Sequence, residues 1–219
     1  NFTVSFELQE REINVTSQVD IDSEEYIIKA VSMPALEFYY PDESVYACYY
    51  PSGMGKRVED LENLSKVGFS YPGDNGTMQW YTMNSAKNGI YIGTHDDSQQ
   101  PKTFEIYRRE KGRIVSELKM PVHSDKFQSP AMIVRLYEGS WHEAARFYRT
   151  WYDTRFRVVD SPDWLKESPG LMLNILRQQN GEVIYPFSEI DTIMHIGEKA
   201  GFDLIGLWGR GVGVHDRFY

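Results

Sequence analysis

The first 138 residues alternate. In "NFTVSFELQE" the apolar Phe2, Val4, Phe6 and Leu8 interleave with Thr3, Ser5 and Glu7. That is the period-two pattern of a β-strand with one buried and one wet face. Comparable runs follow at Ile13–Val19, Tyr26–Val31, Val45–Tyr50, Thr77–Met83, Gly89–His95, Lys102–Tyr107, Arg113–Met120 and Pro130–Tyr137. Turn chemistry separates them, in "PDES", "PSGMG", "YPGDNG", "AKNG" and "EKGR". Strands at this spacing, with no long helical pattern between them, predict an antiparallel β-sandwich over residues 1–138.

The grammar changes at Gly139. "SWHEAARFYRTWYDTRF" opens with Ser140 and Glu143 at capping-box spacing. Trp141, Ala144, Ala145, Tyr148, Trp151 and Tyr152 then fall on one helical face. A linking helix packed between two domains is expected across residues 139–160. "DSPDWLKESPG" reads as a boundary, with a cap at Ser161, Pro162 in the first turn and a short helix. "LMLNIL" at Leu171–Leu176 then has strand length, and a helix is expected near Ser188–Ala200. Ser188 and Asp191 form its cap pair, Ile190, Ile193, Met194 and Gly197 its inner stripe, and Gly201 its C-terminal glycine. The apolar run Phe202–Leu207 completes a βαβ unit, which implies parallel strands and a right-handed crossover. One such unit cannot bury its own faces. Residues 161–219 are therefore expected to begin a (β/α) barrel in a chain that is a fragment. Its exposed edge would pair with the missing remainder or with another chain.

Composition bounds the partners. The chain has 219 residues, 41% of them hydrophobic, enough to bury a substantial core. Its formal net charge of −9 argues against nucleic acid or an anionic membrane surface, both of which need a basic face, and leaves a neutral polar ligand compatible. Fifteen Tyr, eleven Phe and five Trp are a heavy aromatic load, read first as core and second as rings able to stack on sugars. Cys48 is the single cysteine, so no internal disulfide can form; its place in a strand-like run makes it a small buried apolar residue. No apolar stretch reaches the roughly twenty residues that span a bilayer, so no membrane insertion is expected. No signal peptide is visible, and the chain begins inside a strand pattern, so a lost upstream segment could have carried one. Sequons at Asn1, Asn14, Asn63 and Asn75 have meaning only in a eukaryotic secretory setting.

The order of parts resembles the clan of family 36 α-galactosidases and the family 101 endo-α-N-acetylgalactosaminidases. It most resembles a group of large bacterial glycoside-hydrolase-like proteins. The residues carrying the likeness are "YYPSGMG" at Tyr49–Gly55, "MQWYTM" at Met78–Met83, "GIYIGTHD" at Gly89–Asp96, "GSWHEAARFYRTWY" at Gly139–Tyr152 and "SPDWLKESPG" at Ser161–Gly170. The resemblance implies a galactose-mutarotase-like supersandwich followed by the first βαβ unit of a (β/α)8 barrel. It also implies an extracytoplasmic location, secreted or periplasmic. The catalytic carboxylates of such enzymes lie on later barrel strands, so none is expected before Tyr219.

Two groups of residues are candidates for a carbohydrate site. Trp208, Arg210, His215 and Asp216 follow the second parallel strand, where both doubly wound sheets and barrels bind ligands. Trp208 can stack on a pyranose ring, and Arg210 and Asp216 can fix hydroxyls by charge-assisted hydrogen bonds; the plainer reading is a solvated loop with Trp208 as a packing plug. Asn174, in the first parallel strand, is either a hydroxyl donor or a backbone partner. Gln79, Trp80, His95 and Asp96 come from the sandwich. In the resembled architecture a sandwich loop leans over the barrel mouth; as a turn, Asp96 would simply cap its own backbone. His123, His142 and His195 read as surface residues. No short-range ligand spacing supports a metal, and no cofactor is expected. "GRGVG" has Val at 214 where a dinucleotide loop needs its third glycine, and no helix pattern follows. No G-x-S-x-G elbow is present. The leading expectation is the N-terminal portion of a glycoside hydrolase; the alternative is a non-catalytic carbohydrate-binding or scaffolding module.

Overall fold

The computed structural model describes residues 1–23, 25–39, 46–73, 76–157, 159–178 and 180–208, the side chains of Met33, Pro34 and Trp208 excepted. The chain divides into two compact units, Asn1–Arg157 and Val158–Tyr219. The first holds twelve strands among its described residues. They are β1 (Phe2–Gln9), β2 (Glu12–Asp20), β3 (Ile28–Tyr39), β4 (Ala47–Tyr50), β5 (Lys56–Val58), β6 (Lys66–Tyr71), β7 (Trp80–Asn84), β8 (Asn88–Thr94), β9 (Lys102–Glu110), β10 (Arg113–Ser124), β11 (Lys126–Gln128) and β12 (Met132–Glu138). The larger sheet runs β1-β2-β12-β8-β7-β4-β5, with β11 also on β2; the smaller runs β3-β10-β9-β6. Every pairing in them is antiparallel.

The inner faces of the two sheets share one core. Tyr81, Ile92, Phe104, Ile106, Ile114 and Leu118 are fully buried in it, beside Met83, Met120 and Met132. Phe69 and Phe104 stack at 4.8 Å, and Tyr81 meets Phe104 edge-on at 6.1 Å, both favoured ring geometries. The Tyr81 hydroxyl donates to Ser116, which satisfies the one polar atom that the ring brings inside. Cys48 lies in the same core, where burial pushes its thiol up to about 12 and keeps it protonated.

All five residues of β7 are buried, because its outer face is covered too. Helix α1 (Trp141–Arg155) lies there, with Ala144 and Tyr148 buried against Trp80, Tyr91 and Ile133. The helix sits where its pattern predicts. Its expected capping box does not form: the Ser140 hydroxyl pairs with His142 Nδ1 at 2.9 Å, and the Glu143 carboxylate takes Arg146 instead.

Several strands differ from the alternation pattern. β6 escapes it because Gly68 interrupts the run; a Cβ there would lie 2.6 Å from the Phe104 carbonyl, so the glycine permits the approach of β6 to β9. β5 and β11 are three residues each, too short to show a period. β3 continues through Pro34 because β3 is an edge strand, and the register against β10 shifts between Glu117 and Lys119. In β1 neither face is well buried: Phe2, Phe6 and Leu8 are 56%, 70% and 79% exposed, against the expectation of one dry face.

The second unit contains α2 (Asp163–Glu167), β13 (Leu171–Ile175), a 3-10 turn at Phe187–Glu189, α3 (Ile190–Lys199) and β14 (Leu204–Trp208). β13 and β14 are parallel, with Leu171 opposite Leu204 and Ile175 opposite Trp208, the βαβ unit that the sequence predicts. A (β/α) barrel is not shown; the described residues give this one unit. Pro162, not Ser161, is the N-cap of α2, and Glu189, not the Ser188–Asp191 pair, precedes α3. At its other end α3 closes as expected. Gly201 adopts φ +80°, its N–H bonds the Glu198 carbonyl, and the Phe202 N–H bonds that of Gly197, a Schellman motif. Gly197 and Ile193 are buried, but Met194, expected in the inner stripe, is 43% exposed.

The shared core generates a direct prediction. Phe104→Ala removes a fully buried ring that both sheets grip, and should destabilise the first unit by about 3–5 kcal/mol in urea unfolding monitored by Tyr and Trp fluorescence.

Candidate functional site

β7 and β8 form a hairpin, and Gln79, Trp80, His95 and Asp96 gather at its open end. The Thr94 N–H bonds the Gln79 carbonyl at 2.8 Å, continuing the ladder one residue past β7. Gln79 is fully buried. Its side chain donates to the Asp96 carbonyl at 2.9 Å and accepts from the Thr94 hydroxyl and the Lys102 ammonium, each at 2.8 Å. Lys102 is 1% exposed and its ammonium meets Asp96 Oδ2 at 2.6 Å. The other Asp96 bonds come from the N–H groups of Ser98 and Gln100 and from the Ser98 hydroxyl. Burial alone would raise the Asp96 pKa. The Lys102 and Ser98 hydrogen bonds, the Lys102 charge and the Gln100 N–H outweigh it and hold the carboxyl below its ordinary value.

This arrangement gives Asp96 and Gln79 a defined task. They tie the loop between β8 and β9 to the hairpin, and the loop presents Asp97, Ser98, Gln99 and Gln100 to solvent. Gln99 takes φ +55°, the left-handed region that a non-glycine residue adopts only when its surroundings compel it. Lys102 is the partner that motif reading missed. Its signal was present in the strand period, since Lys102 is in phase with Phe104 and Ile106 and so points inward.

His95 and Trp80 belong to the aromatic layer under α1. The His95 ring stacks on Trp151 at 4.6 Å and 9°, and its Nε2 lies 3.1 Å from the Tyr91 hydroxyl. Phe147 and Tyr148 flank it at 5.1 Å and 6.0 Å. Burial pushes the imidazole down to about 4, so it is neutral near pH 7 and shares one hydrogen bond with the tyrosine. Trp80 is 4% exposed and stacks on Tyr91 at 5.8 Å; its indole N–H is buried with no partner among the described residues.

The other end of the hairpin opens on a cleft of about 500 Å³, with Tyr46, Met83, Ile90 and Leu136 in its lining and the Arg11–Glu138 ion pair, 3.6 Å apart, beside it. In the second unit, Asn174 is in phase with Met172, whose methyl would lie 3.1 Å from a Cβ at Gly197 in α3. Asn174 is thus on the helix-packed face of β13, and its Nδ2 is buried without a partner among the described residues. Trp208 ends β14 opposite Ile175. Arg210, His215 and Asp216 lie outside the described residues. His123, His142 and His195 are exposed. Among the described residues no three His, Cys, Asp or Glu side chains are grouped to hold a metal ion.

Two measurements probe the hairpin end. Lys102→Met strands the Asp96 carboxylate in a buried setting and should cost about 3–5 kcal/mol, with part recovered in the Asp96→Asn, Lys102→Met double variant. His95 has a folded pKa below its unfolded value of 6.5, so the unfolded chain takes the proton first. Stability from this residue is therefore full above pH 6.5, falls as pH drops toward 4, and levels off below. The loss should reach up to about 3 kcal/mol in chemical unfolding across that window, and His95→Gln should remove this part of the slope, leaving that of the carboxylates.

No protein-family model and no curated protein matches the chain. Solved structures do. The α-N-acetylgalactosaminidase NagBb of Bifidobacterium bifidum, in complex with GalNAc, aligns over 96% of this chain with a TM-score of 0.63 at 12% identity. The same enzyme in complex with Gal-NHAc-DNJ gives 0.62 at 13%, and its ligand-free form 0.60 at 13%. The chain spans 43% of the length of each. At such identity the likeness is one of fold, and the fold is one found in a glycoside hydrolase.

Proposed function

We propose that this chain is part of a glycoside hydrolase acting on oligo- or polysaccharides, whose catalytic carboxylates lie beyond the residues described. The observation that supports it most is the order of parts. A β-sandwich, an aromatic helix and a parallel βαβ unit lie within the 96% of the chain that aligns with the glycosidase, more than the sandwich alone would cover. On this reading β13 and β14 are the first strands of a (β/α)8 barrel. Trp208 then stands at the carboxyl end of the second strand, where barrels build their sites. Trp208 supplies a stacking face, and Arg210, His215 and Asp216 supply hydrogen bonds to hydroxyls. Hydrolysis further needs two carboxylates, about 5–5.5 Å apart for retention or about 6.5–9.5 Å for inversion. Within the sandwich, Asp96 is committed to Lys102, so its role here is to shape a loop, not to transfer a proton. The same commitment favours a second reading, a non-catalytic carbohydrate-binding module.

N-acetylgalactosamine is the first sugar to test, since the matched enzyme was solved with GalNAc. In the parent protein, Trp208→Ala should weaken sugar binding by about 1–2 kcal/mol in calorimetric titration, with thermal melting as the control. Unchanged affinity with a lower melting temperature would make Trp208 a packing plug and end its role in the proposal. Binding without turnover of an aryl α-N-acetylgalactosaminide by the parent protein would favour the non-catalytic module.

A further inference from the structure

The cleft of about 500 Å³ at the turn end of the β7–β8 hairpin has a size usual for small-molecule sites. It is built from residues of the first unit alone, and the strands that line it, β7, β8 and β12, are each paired on both sides. The lining is of two kinds. Tyr46, Met83, Ile90 and Leu136 give apolar surface, and Leu136 is 58% exposed. Arg11, Asn88 and Glu138 are polar, and their hydrogen-bonding capacity is open. Arg11 and Glu138 stand 3.6 Å apart, close enough to offset each other's charge but too far for a hydrogen bond. The Asn88 amide and the Tyr46 hydroxyl have no partner among the described residues. Ser85 and Tyr137, in the same lining, differ: Ser85 closes the hairpin turn, and the Tyr137 hydroxyl is shared with Thr82 and Asn84.

This chemistry selects the ligand. A hydrocarbon would bury the ion pair without satisfying it. An anion would meet Glu138, and a cation Arg11. A neutral ring with a C–H face and adjacent hydroxyls meets both kinds of lining. One hydroxyl of a vicinal pair donates to the Glu138 carboxylate while its neighbour accepts from the Arg11 guanidinium. The C–H face then covers the apolar surface that Leu136 leaves in water. We propose that this cleft is a pyranoside-binding site of the sandwich, held by Arg11 and Glu138 at the hydroxyls and by Leu136 on the C–H face. It needs no barrel and no catalytic carboxylate, and so stands apart from the glycoside hydrolase reading.

The test is photolabelling of the parent protein with an α-galactopyranoside that carries a diazirine on its aglycone, mapped by peptide mass spectrometry. Saturable label is expected in peptides covering 83–90 and 136–138, and methyl α-galactopyranoside should compete it away. Arg11→Met keeps the apolar stem and removes the donors; Leu136→Gln removes apolar surface. Each lies at a side chain 58% exposed, so each should keep the parent melting temperature while weakening competition by the methyl galactoside about ten-fold. Absence of competable label at the cleft overturns the proposal. So does label competed equally well in both variants. Galacturonate competing better than the methyl galactoside overturns it too, since its carboxylate would then be taking Arg11 from Glu138. Competable label confined to peptides beyond residue 157 overturns the cleft and leaves the glycosidase reading standing. Label at the cleft in a parent protein that turns over no glycoside does the reverse.

Discussion

The fold depends on burying both faces of one hairpin. β7 and β8 place Tyr81, Met83 and Ile92 on the inner side and Trp80, Thr82 and Tyr91 on the outer, and every one of these is buried. A two-sided strand needs two partners. The smaller sheet is one, through Phe104, Ile106, Ile114 and Leu118; α1 is the other, through Ala144 and Tyr148. The glycines of the hairpin follow from that demand. A Cβ at Gly93 would lie 2.7 Å from the Gln79 carbonyl and from the Tyr91 hydroxyl, so no larger residue fits between the ladder and the aromatic layer. Apolar burial of this extent, at roughly 25 cal/mol per Å² of surface withdrawn from water, dominates what holds the first unit together.

Against that background the Asp96–Lys102 pair is unusual. Buried ion pairs seldom stabilise more than apolar residues of the same size would, because desolvation offsets attraction. Here the pair does something apolar residues could not. It gathers two loop N–H groups, a hydroxyl and a buried glutamine amide into one network, and so sets the path of residues 96–101. The loop keeps a left-handed Gln99 as a result. Specific geometry, bought at some cost in stability, is what a polar loop needs if it is to meet a polar ligand.

The elements and their pairing were legible where a period was long enough to read. The alternation of β2, β8, β9 and β12 and the aromatic face of α1 announced themselves, and so did the Gly201 stop of α3. What the sequence hid was local competition. Ser140 had the spacing of a capping box, but His142 and Arg146 were better placed to take the two side chains. Gly68 broke a strand pattern because the backbone of β9 comes too close for a side chain. The candidate residues divide in the same way. Sequence named Gln79, Trp80, His95 and Asp96 only as one group from the sandwich; the structure brings them to one hairpin end. Sequence could not show that they look inward, since a Trp, a His and a Gln beside a turn read alike whether they face a ligand or a helix. Lys102 was hidden for the opposite reason: lysine is so seldom buried that an inward phase carries little weight on its own.

The two units differ in how far their apolar faces are covered among the described residues. In the first, both faces of the central hairpin are covered and its buried charges are matched. In the second, Leu171, Leu173 and Ile175 of β13 are 55%, 49% and 40% exposed on the face away from α3, while Met172 and Gly197 are packed on the near one. An apolar strand with one covered face is the condition of a parallel strand awaiting a further layer, since parallel sheets are stable when both faces are buried. Asn174 fits the same logic from the other side. Its Nδ2 is inside the helix-packed face without a partner among the described residues, a group whose desolvation costs about 1–3 kcal/mol unless something accepts from it. The unmet needs of this unit among the described residues are therefore apolar on one face and one donor on the other.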